Sequence, residues 1–376
     1  MAKRFRFDTI LAAEDICNLN EERERLQAYI AQREKIVVYG PRNYGKTSLV
    51  KSVIIPEFEK KNKNSFVFFV DLMQVRNGKA VDLRMSKAFE ASFAKSFPTK
   101  SLLESAKNII ISLRPSIEFD PITSQPSVSL NLAQDNDHDW WPDILANIRD
   151  GIAREYPCLL IFDEFQDLAF VDGAEGMIRN VLQEFTDVPI VIMGSKRHLL
   201  TNMFAVPSAP LFNFGIDLEF EPIEYEEYWE YMQERFDQKY ISIDLETSTL
   251  LQDMLLRVPE PINMVCSEIL NSLQSTTVTQ QDIVNALDLT LEGRRGRFQT
   301  LLSLLSESEE DLLVALQKHG PIKAITGKDF LKHVDLSASG VRKVAEKLEN
   351  SGVIESTREG YKIVDPLLGC FIDRYY

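Results

Sequence analysis

The chain has 376 residues, 44% hydrophobic and 26% charged, with a net charge of −15 and a pI near 4.9. At roughly 100–200 residues per domain this is enough for two or three domains with full cores, and a surface so acidic repels nucleic-acid phosphates, so any DNA contact needs a local basic patch. Cys17, Cys158, Cys266 and Cys370 form no CxxC pair and none of the four histidines lies beside a cysteine, which argues against a zinc site and fits a reducing compartment.

The N-terminal stretch "MAKRFRFDTILAAEDICNLNEE" turns acidic at Glu14 and Asp15 before any signal-length apolar core forms, and no apolar run approaches the roughly 18 residues a membrane span needs. A cytoplasmic protein is expected.

The first strand is predicted at "IVVY", 36–39, a β-branched run of the kind buried in a sheet. A loop follows, Gly40-Pro41-Arg42-Asn43-Tyr44-Gly45-Lys46-Thr47, which fits G-x-x-x-x-G-K-[ST] at every fixed position. Ser48 then opens a helical pattern with Leu49, Val50, Val53 and Ile54 on one side. Glycines let the backbone bend so that successive amides face phosphate oxygens, and the helix N-terminus adds positive potential. Lys46 reaches the β- and γ-phosphates, and Thr47 offers its hydroxyl to Mg²⁺. Residues 40–48 are therefore the nucleotide-binding candidates.

A second strand is predicted in "SFVFFVDL", 65–72, with helical stretches near 80–112. Two alternating runs around Asp-Pro and Gln-Pro in 114–132 read as a β-hairpin, and a helix is expected across 139–155.

"CLLIFDEFQDL", 158–168, is a buried-strand run ending in Asp163-Glu164. At the strand tip Asp163 can hold the magnesium shell, and Glu164 can polarise a water for attack on the γ-phosphate. Beside a phosphate loop this acidic pair marks the hydrolytic ATPase class, and the absence of N-K-x-D favours ATP over GTP. The next strand, in "VPIVIMGSKRHLL", 188–200, is expected between the two motif strands. Ser195 at its tip is then the sensor candidate, with helix N-capping as the other reading. Arg197 and His198 follow as rim or sensor candidates, beside a plain surface reading.

Residues 223–290 are helical in pattern; Tyr225, Tyr228, Trp229 and Met232 are spaced as the packing face of a lid helix. "EGRRGRF", 292–298, reads as a glycine-punctuated basic link. Beyond it come three helices, in "SESEEDLLVALQKHG", "TGKDFLKHV" and "LSASGVRKVAEKLENSG". Two short strands around Arg358-Glu359-Gly360 complete a winged helix-turn-helix. Arg342, Lys343, Lys347, Arg358 and Lys362 are its candidate DNA or partner contacts. From 300 onward, however, 10 basic residues face 12 acidic ones, a net of −2. DNA binding is not favoured, and contact with a protein partner or lid-like self-inhibition is the preferred use.

Together "YGPRNYGKTSLV", "IFDEFQDL", "GSKRHLL…MF" and "GIDLEFEPI" resemble the archaeal-type ATPases of prokaryotes, members of the AAA+ class close to the signal-transduction ATPases called STAND. The resemblance implies a three-layer α/β P-loop NTPase core with a parallel sheet, a helical lid and a C-terminal winged helix. It places Lys46 and Thr47 on phosphate and magnesium, Asp163 and Glu164 as the acidic pair, and Ser195 as the sensor. The expected division is a core at 1–222 carrying the hairpin, a lid at 223–290, a linker at 291–299 and the winged helix at 300–376.

The chain departs from the family in two places. Many relatives carry "PLYGR" before the last core strand, whereas Pro210-Leu211-Phe212-Asn213-Phe214-Gly215 has no arginine. Where the lid often offers an arginine after a proline, "RVPEPINMV" has Ile262 and Asn263, with Arg257 nearby but out of position. These departures predict a slow, switch-like ATPase, with oligomer formation left open. A DNA-binding regulator set by nucleotide and a nucleotide-locked scaffold with little hydrolysis are the alternatives.

Overall fold

The structure is a computed structural model that describes residues 3–99, 113, 115–119, 126–130, 139–357 and 359–376. The described chain forms two compact units. One comprises Asn20–Pro41 and Lys46–Phe220; the other comprises Met1–Leu19, Arg42–Gly45 and Glu221–Tyr376.

The first unit is built on five parallel strands, β1 (Lys35–Tyr39), β2 (Phe66–Asp71), β5 (Cys158–Asp163), β6 (Ile190–Gly194) and β7 (Ile216–Glu219), in the order β2-β5-β6-β1-β7. Parallel strands covered on both faces need continuous apolar sequence. "CLLIFD" and "IVIMG" supply it, since every residue of β5 and β6 is buried. Strand β6 does lie between β5 and β1, as expected. The register sets Asp71 beside Asp163 and Tyr39 beside Gly194, so the motif strands all end at one edge. That carboxyl edge is where ligands bind in open α/β sheets.

Helix Gly78–Ser96 covers part of the sheet. Asn77 caps it by accepting from the amide of Ala80. Val81, Met85, Phe89 and Phe93 recur every fourth residue and are fully buried, so one stripe of the helix faces inward. Its rings continue in a row, stacked for Phe89–Phe93 with centroids 5.6 Å apart and tilted for Phe93–Phe97 at 4.7 Å. The expected hairpin is present as β3 (Pro115–Phe119) and β4 (Pro126–Leu130), antiparallel with Ile117 opposite Val128. Its turn, and the helical pattern expected from 100 to 112, fall outside the described residues.

The second unit carries the lid helices Tyr225–Phe236, Leu245–Met254, Pro259–Ser272 and Gln280–Ser303. In the first of these Tyr228 and Met232 are buried and Tyr225 and Trp229 half-buried, the packing face that their spacing implied. Two features differ from expectation. The N-terminal segment groups with the lid rather than with the core: Phe5 is buried against Tyr231 and Phe236, and the buried Arg235 donates to the carbonyl of Arg4 and faces Asp15 at 3.6 Å. The stretch 291–299 is not an irregular link but part of one helix, Gln280–Ser303. A glycine within a helix costs only about 1 kcal/mol, and burial of Leu287, Leu291, Phe298 and Leu302 along one stripe offsets Gly293 and Gly296.

The winged helix consists of helices Glu307–His319 and Ala338–Ser351 and the antiparallel pair β8 (Ile354–Ser356) and β9 (Tyr361–Ile363). Ser337 caps the second helix and Gly352, at φ 76°, ends it. "TGKDFLKHV" forms only a 3₁₀ turn, Phe330–His333, not the regular helix expected. It holds too few buried apolar positions to drive a full helix, Phe330 being the one buried residue of that turn. A further helix, Pro366–Tyr375, follows the strand pair and is additional to the expected elements. Its signal was there: Asp365 caps it ahead of a proline, followed by an apolar stripe.

Candidate nucleotide site

The site is assembled where β1, β5 and β6 end. The loop from Gly40 to Thr47 leaves β1 and enters the helix that opens at Lys46–Leu49. Two of its residues have positive φ, Asn43 at 65° and Gly45 at 81°, a bend that glycine and asparagine tolerate best. Gly40 is required by close approach: a Cβ there would lie 2.9 Å from Phe220 Cβ and 3.2 Å from Lys46 Cδ. Room for the lysine stem therefore depends on the missing side chain. Lys46 is 6% exposed, and its Nζ donates to the carbonyls of Gly40 and Pro41, both at 2.7 Å. Ser48 and Tyr44 are buried, while Arg42 and Asn43 are exposed.

Thr47 and Asp163, 116 positions apart, meet directly: Thr47 Oγ1 donates to Asp163 Oδ2 at 2.8 Å. Asp163 is 5% exposed. Burial pushes its carboxyl above the ordinary range, opposed by the Thr47 hydrogen bond; the charge of Glu164 adds to the rise and that of Lys46 counters it. The other oxygen, Oδ1, accepts from the backbone amide of Glu164 at 3.0 Å.

Glu164 sits at φ 49°, ψ 40°, a left-handed conformation that ends β5 and aims its side chain across the strand tips. Its Oε2 accepts from Ser195 Oγ at 2.8 Å. The N-cap position of the following helix, Arg197–Phe204, belongs to Lys196, so the Ser195 hydroxyl serves Glu164 instead. Gln166, a residue the motif reading passed over, donates from Nε2 to the same oxygen at 2.5 Å. The signal for it was its place two residues past the acidic pair.

Several of the remaining candidates already have partners. Arg197 is engaged end-on with Glu219 of β7: Nη1 and Nη2 donate to the two carboxylate oxygens, Nη2 lying 3.1 Å from Oε2. His198 follows it in the helix. In the lid Arg257 turns to the carbonyls of Pro222 and Ile223 and stacks on Tyr225 at 4.3 Å. Asn263 of the lid is buried and accepts from Tyr228 Oη at 2.9 Å. In the winged helix Lys347 pairs with Glu309 at 2.8 Å and Lys362 with Glu355 at 3.5 Å, Arg342 and Lys343 are exposed, and Arg358 lies outside the described residues. No described helix is long and apolar enough to cross a membrane.

The comparisons agree with this fold. Residues 296–374 match the family described as a probable winged helix domain. Among solved structures, the Walker-type ATPase PABY2304 of Pyrococcus abyssi superposes with a TM-score of 0.66 at 15% identity, covering 98% of this chain and 99% of that one. The ORC2 protein of Aeropyrum pernix, in ADPNP and ADP complexes, gives 0.55 at 13% identity, covering 98% and 96%. At such identities the likeness concerns the fold. No curated protein shows significant sequence similarity to the chain. Residues 20–250, more than half of the chain, match the family described as an ATPase domain predominantly from Archaea, and the chain belongs to that family: it is a nucleotide-binding P-loop ATPase.

Proposed function

We propose that the chain is a Mg²⁺-dependent ATPase that works as a slow, nucleotide-driven conformational switch, of the STAND-related kind, coupled to a partner-binding winged helix. The observation that carries this reading is the continuous hydrogen-bonded string from Thr47 through Asp163 and Glu164 to Ser195. It joins the phosphate loop, the acidic pair and Ser195 at one sheet edge, where a phosphoryl-transfer site needs its metal and water-orienting groups.

In this reading amides of residues 40–48 and the Lys46 ammonium hold the triphosphate. Lys46 exchanges two neutral carbonyl acceptors for charged phosphate oxygens, the stronger kind of hydrogen bond. The Thr47 hydroxyl and Asp163 carboxylate are hard oxygen donors suited to Mg²⁺, which keeps water and phosphate oxygens as its other ligands. When bound, the ion would neutralise charge on the β- and γ-phosphates. Glu164 orients the attacking water and takes its proton, and Ser195 reports on the γ-phosphate through the same carboxylate.

The switch-like rate rests on the arginines. Arg197 is held by Glu219 and Arg257 by the carbonyls of Pro222 and Ile223, so both guanidinium groups are already engaged. The same observation supports a second reading, a nucleotide-locked scaffold with very little hydrolysis. Of the winged-helix cations, Lys347 and Lys362 are already matched by glutamates, which supports a protein partner over DNA.

The test is hydrolysis of ATP by the full chain with Mg²⁺, alongside Lys46→Ala and Glu164→Gln. Lys46→Ala is expected to abolish ATP binding. Glu164→Gln should keep binding and lower hydrolysis by roughly 10²-fold or more. Equal hydrolysis by Glu164→Gln and the parent chain would remove Glu164 from the mechanism, and binding without measurable turnover in the parent would favour the scaffold.

A further inference from the structure

We propose that Gln166 is a positioning residue for hydrolysis, the side chain that orients the Glu164 carboxylate toward the attacking water. The inference rests on the reading of Glu164 as the general base.

Three observations carry it. The first is convergence. Gln166 Nε2 at 2.5 Å and Ser195 Oγ at 2.8 Å donate to one oxygen of Glu164, Oε2. They come from different elements, the 3₁₀ turn Phe165–Phe170 and the tip following β6. No described hydrogen bond reaches Oε1, which is left to accept from a water. Two donors on one oxygen set both the position and the plane of a carboxylate, which a single donor does not.

The second is the state of the amide itself. Gln166 is 1% exposed, and its carbonyl Oε1 is buried with no hydrogen-bond partner among the described residues. Turning the amide over would set a carbonyl oxygen against a carboxylate oxygen, so the donor-inward orientation is dictated electrostatically. An orphaned buried carbonyl costs free energy, and a side chain selected for packing alone would be apolar. The donor end accounts for its presence.

The third is the space provided for it. A Cβ at residue 194 would lie 2.1 Å from Gln166 Oε1 and 2.8 Å from Leu200 Cδ1. Gly194, the last residue of β6, thus leaves room for the far end of this amide. The left-handed backbone at Glu164 turns its carboxylate toward the same point.

The experiment is single-turnover ATP hydrolysis by the full chain with Mg²⁺, for Gln166→Leu and the unbranched Gln166→Met, both near in volume and lacking the donor. Glu164→Gln is run in parallel, ATP affinity is measured by calorimetry, and Tm is recorded for each protein. The expected result is a hydrolysis rate lower by roughly 10- to 100-fold, the scale of a misplaced reacting group, with ATP affinity within about twofold of the parent. A merely structural role would lower Tm and affinity together, and that outcome overturns the proposal. So does an unchanged or faster rate in either folded variant while Glu164→Gln is inactive; the general-base reading would then stand without Gln166. Undiminished hydrolysis by Glu164→Gln overturns both.

Discussion

Thr47 Oγ1 and Asp163 Oδ2 lie 2.8 Å apart although 116 positions separate them in the chain. The contact joins the phosphate loop to the acidic strand tip and supplies two oxygen donors at one point. Thr47→Val keeps the shape and removes the hydroxyl. It is expected to weaken ATP binding in Mg²⁺ by about 10-fold or more, the usual scale for losing one metal-site contact, while binding in EDTA stays unchanged. Calorimetry with and without the metal checks it, and an equal loss in EDTA would mean that Thr47 serves the phosphates and not the ion.

In the winged helix, Glu309 accepts from Lys347 Nζ at 2.8 Å and from the amide and hydroxyl of Ser306. Lys347 first, then Ser306, hold its carboxyl down to about 2 from the ordinary 4.5. A carboxylate whose pKa is depressed on folding stabilises fully above its unfolded value and loses that contribution as pH falls. The stabilisation should therefore fade from about pH 4.5 toward 2. Glu309→Gln is expected to cost about 0.5–2 kcal/mol at pH 7, the range for a helix cap, and to narrow its difference from the parent below pH 4. Thermal melts across this window measure it.

Glu260 shows the opposite sign. Burial first, then a hydrogen bond and the negative charge of Asp8, push its carboxyl up to about 7, with Arg294 opposing and Asp365 adding to the rise. Here the folded state binds more protons than the unfolded one, so stability falls as pH rises from about 4.5 to 7. Glu260→Gln removes the charge that must be formed in the fold. It should melt higher than the parent at pH 8, by about 2–4 °C per kcal/mol relieved, and match it near pH 4.5. An unchanged Tm at pH 8 would show that Glu260 ionises there without cost.

Phe93 is fully buried, stacks on Phe89 and meets Phe97 at a tilt. Phe93→Ala should destabilise the core unit by about 3–5 kcal/mol through lost burial and the cavity left behind. Denaturant unfolding measures this, and a loss below 1 kcal/mol would mean that the stack closes over the gap.

Much of the architecture was legible in the residues because its signals are local. Gly40, Gly45, Lys46 and Thr47 are close in the chain, and the bend they need is a property of their own backbone. The buried strands β5 and β6 announced themselves by unbroken apolar runs, and the helix Ala338–Ser351 of the winged domain by Ser337 at one end and Gly352 at the other. Where local signals misled, burial had overruled them: the glycines at 293 and 296 punctuate the sequence but not the helix, because the stripe from Leu287 to Leu302 continues through them.

What the linear chain determined, then, was the kind of chemistry: a glycine-bent phosphate loop, an acidic strand end and a polar residue on a further strand are specified by residue type and short spacing. Which groups touch was decided only in three dimensions. The register of β5 against β6 brings Ser195 onto Glu164, Gly194 opens the space beside them for Gln166, and β7 presents Glu219 to Arg197. Hydrogen bonds act over about 3 Å, and a distance of that size between residues 31 or 116 positions apart is a consequence of packing, which no local pattern encodes.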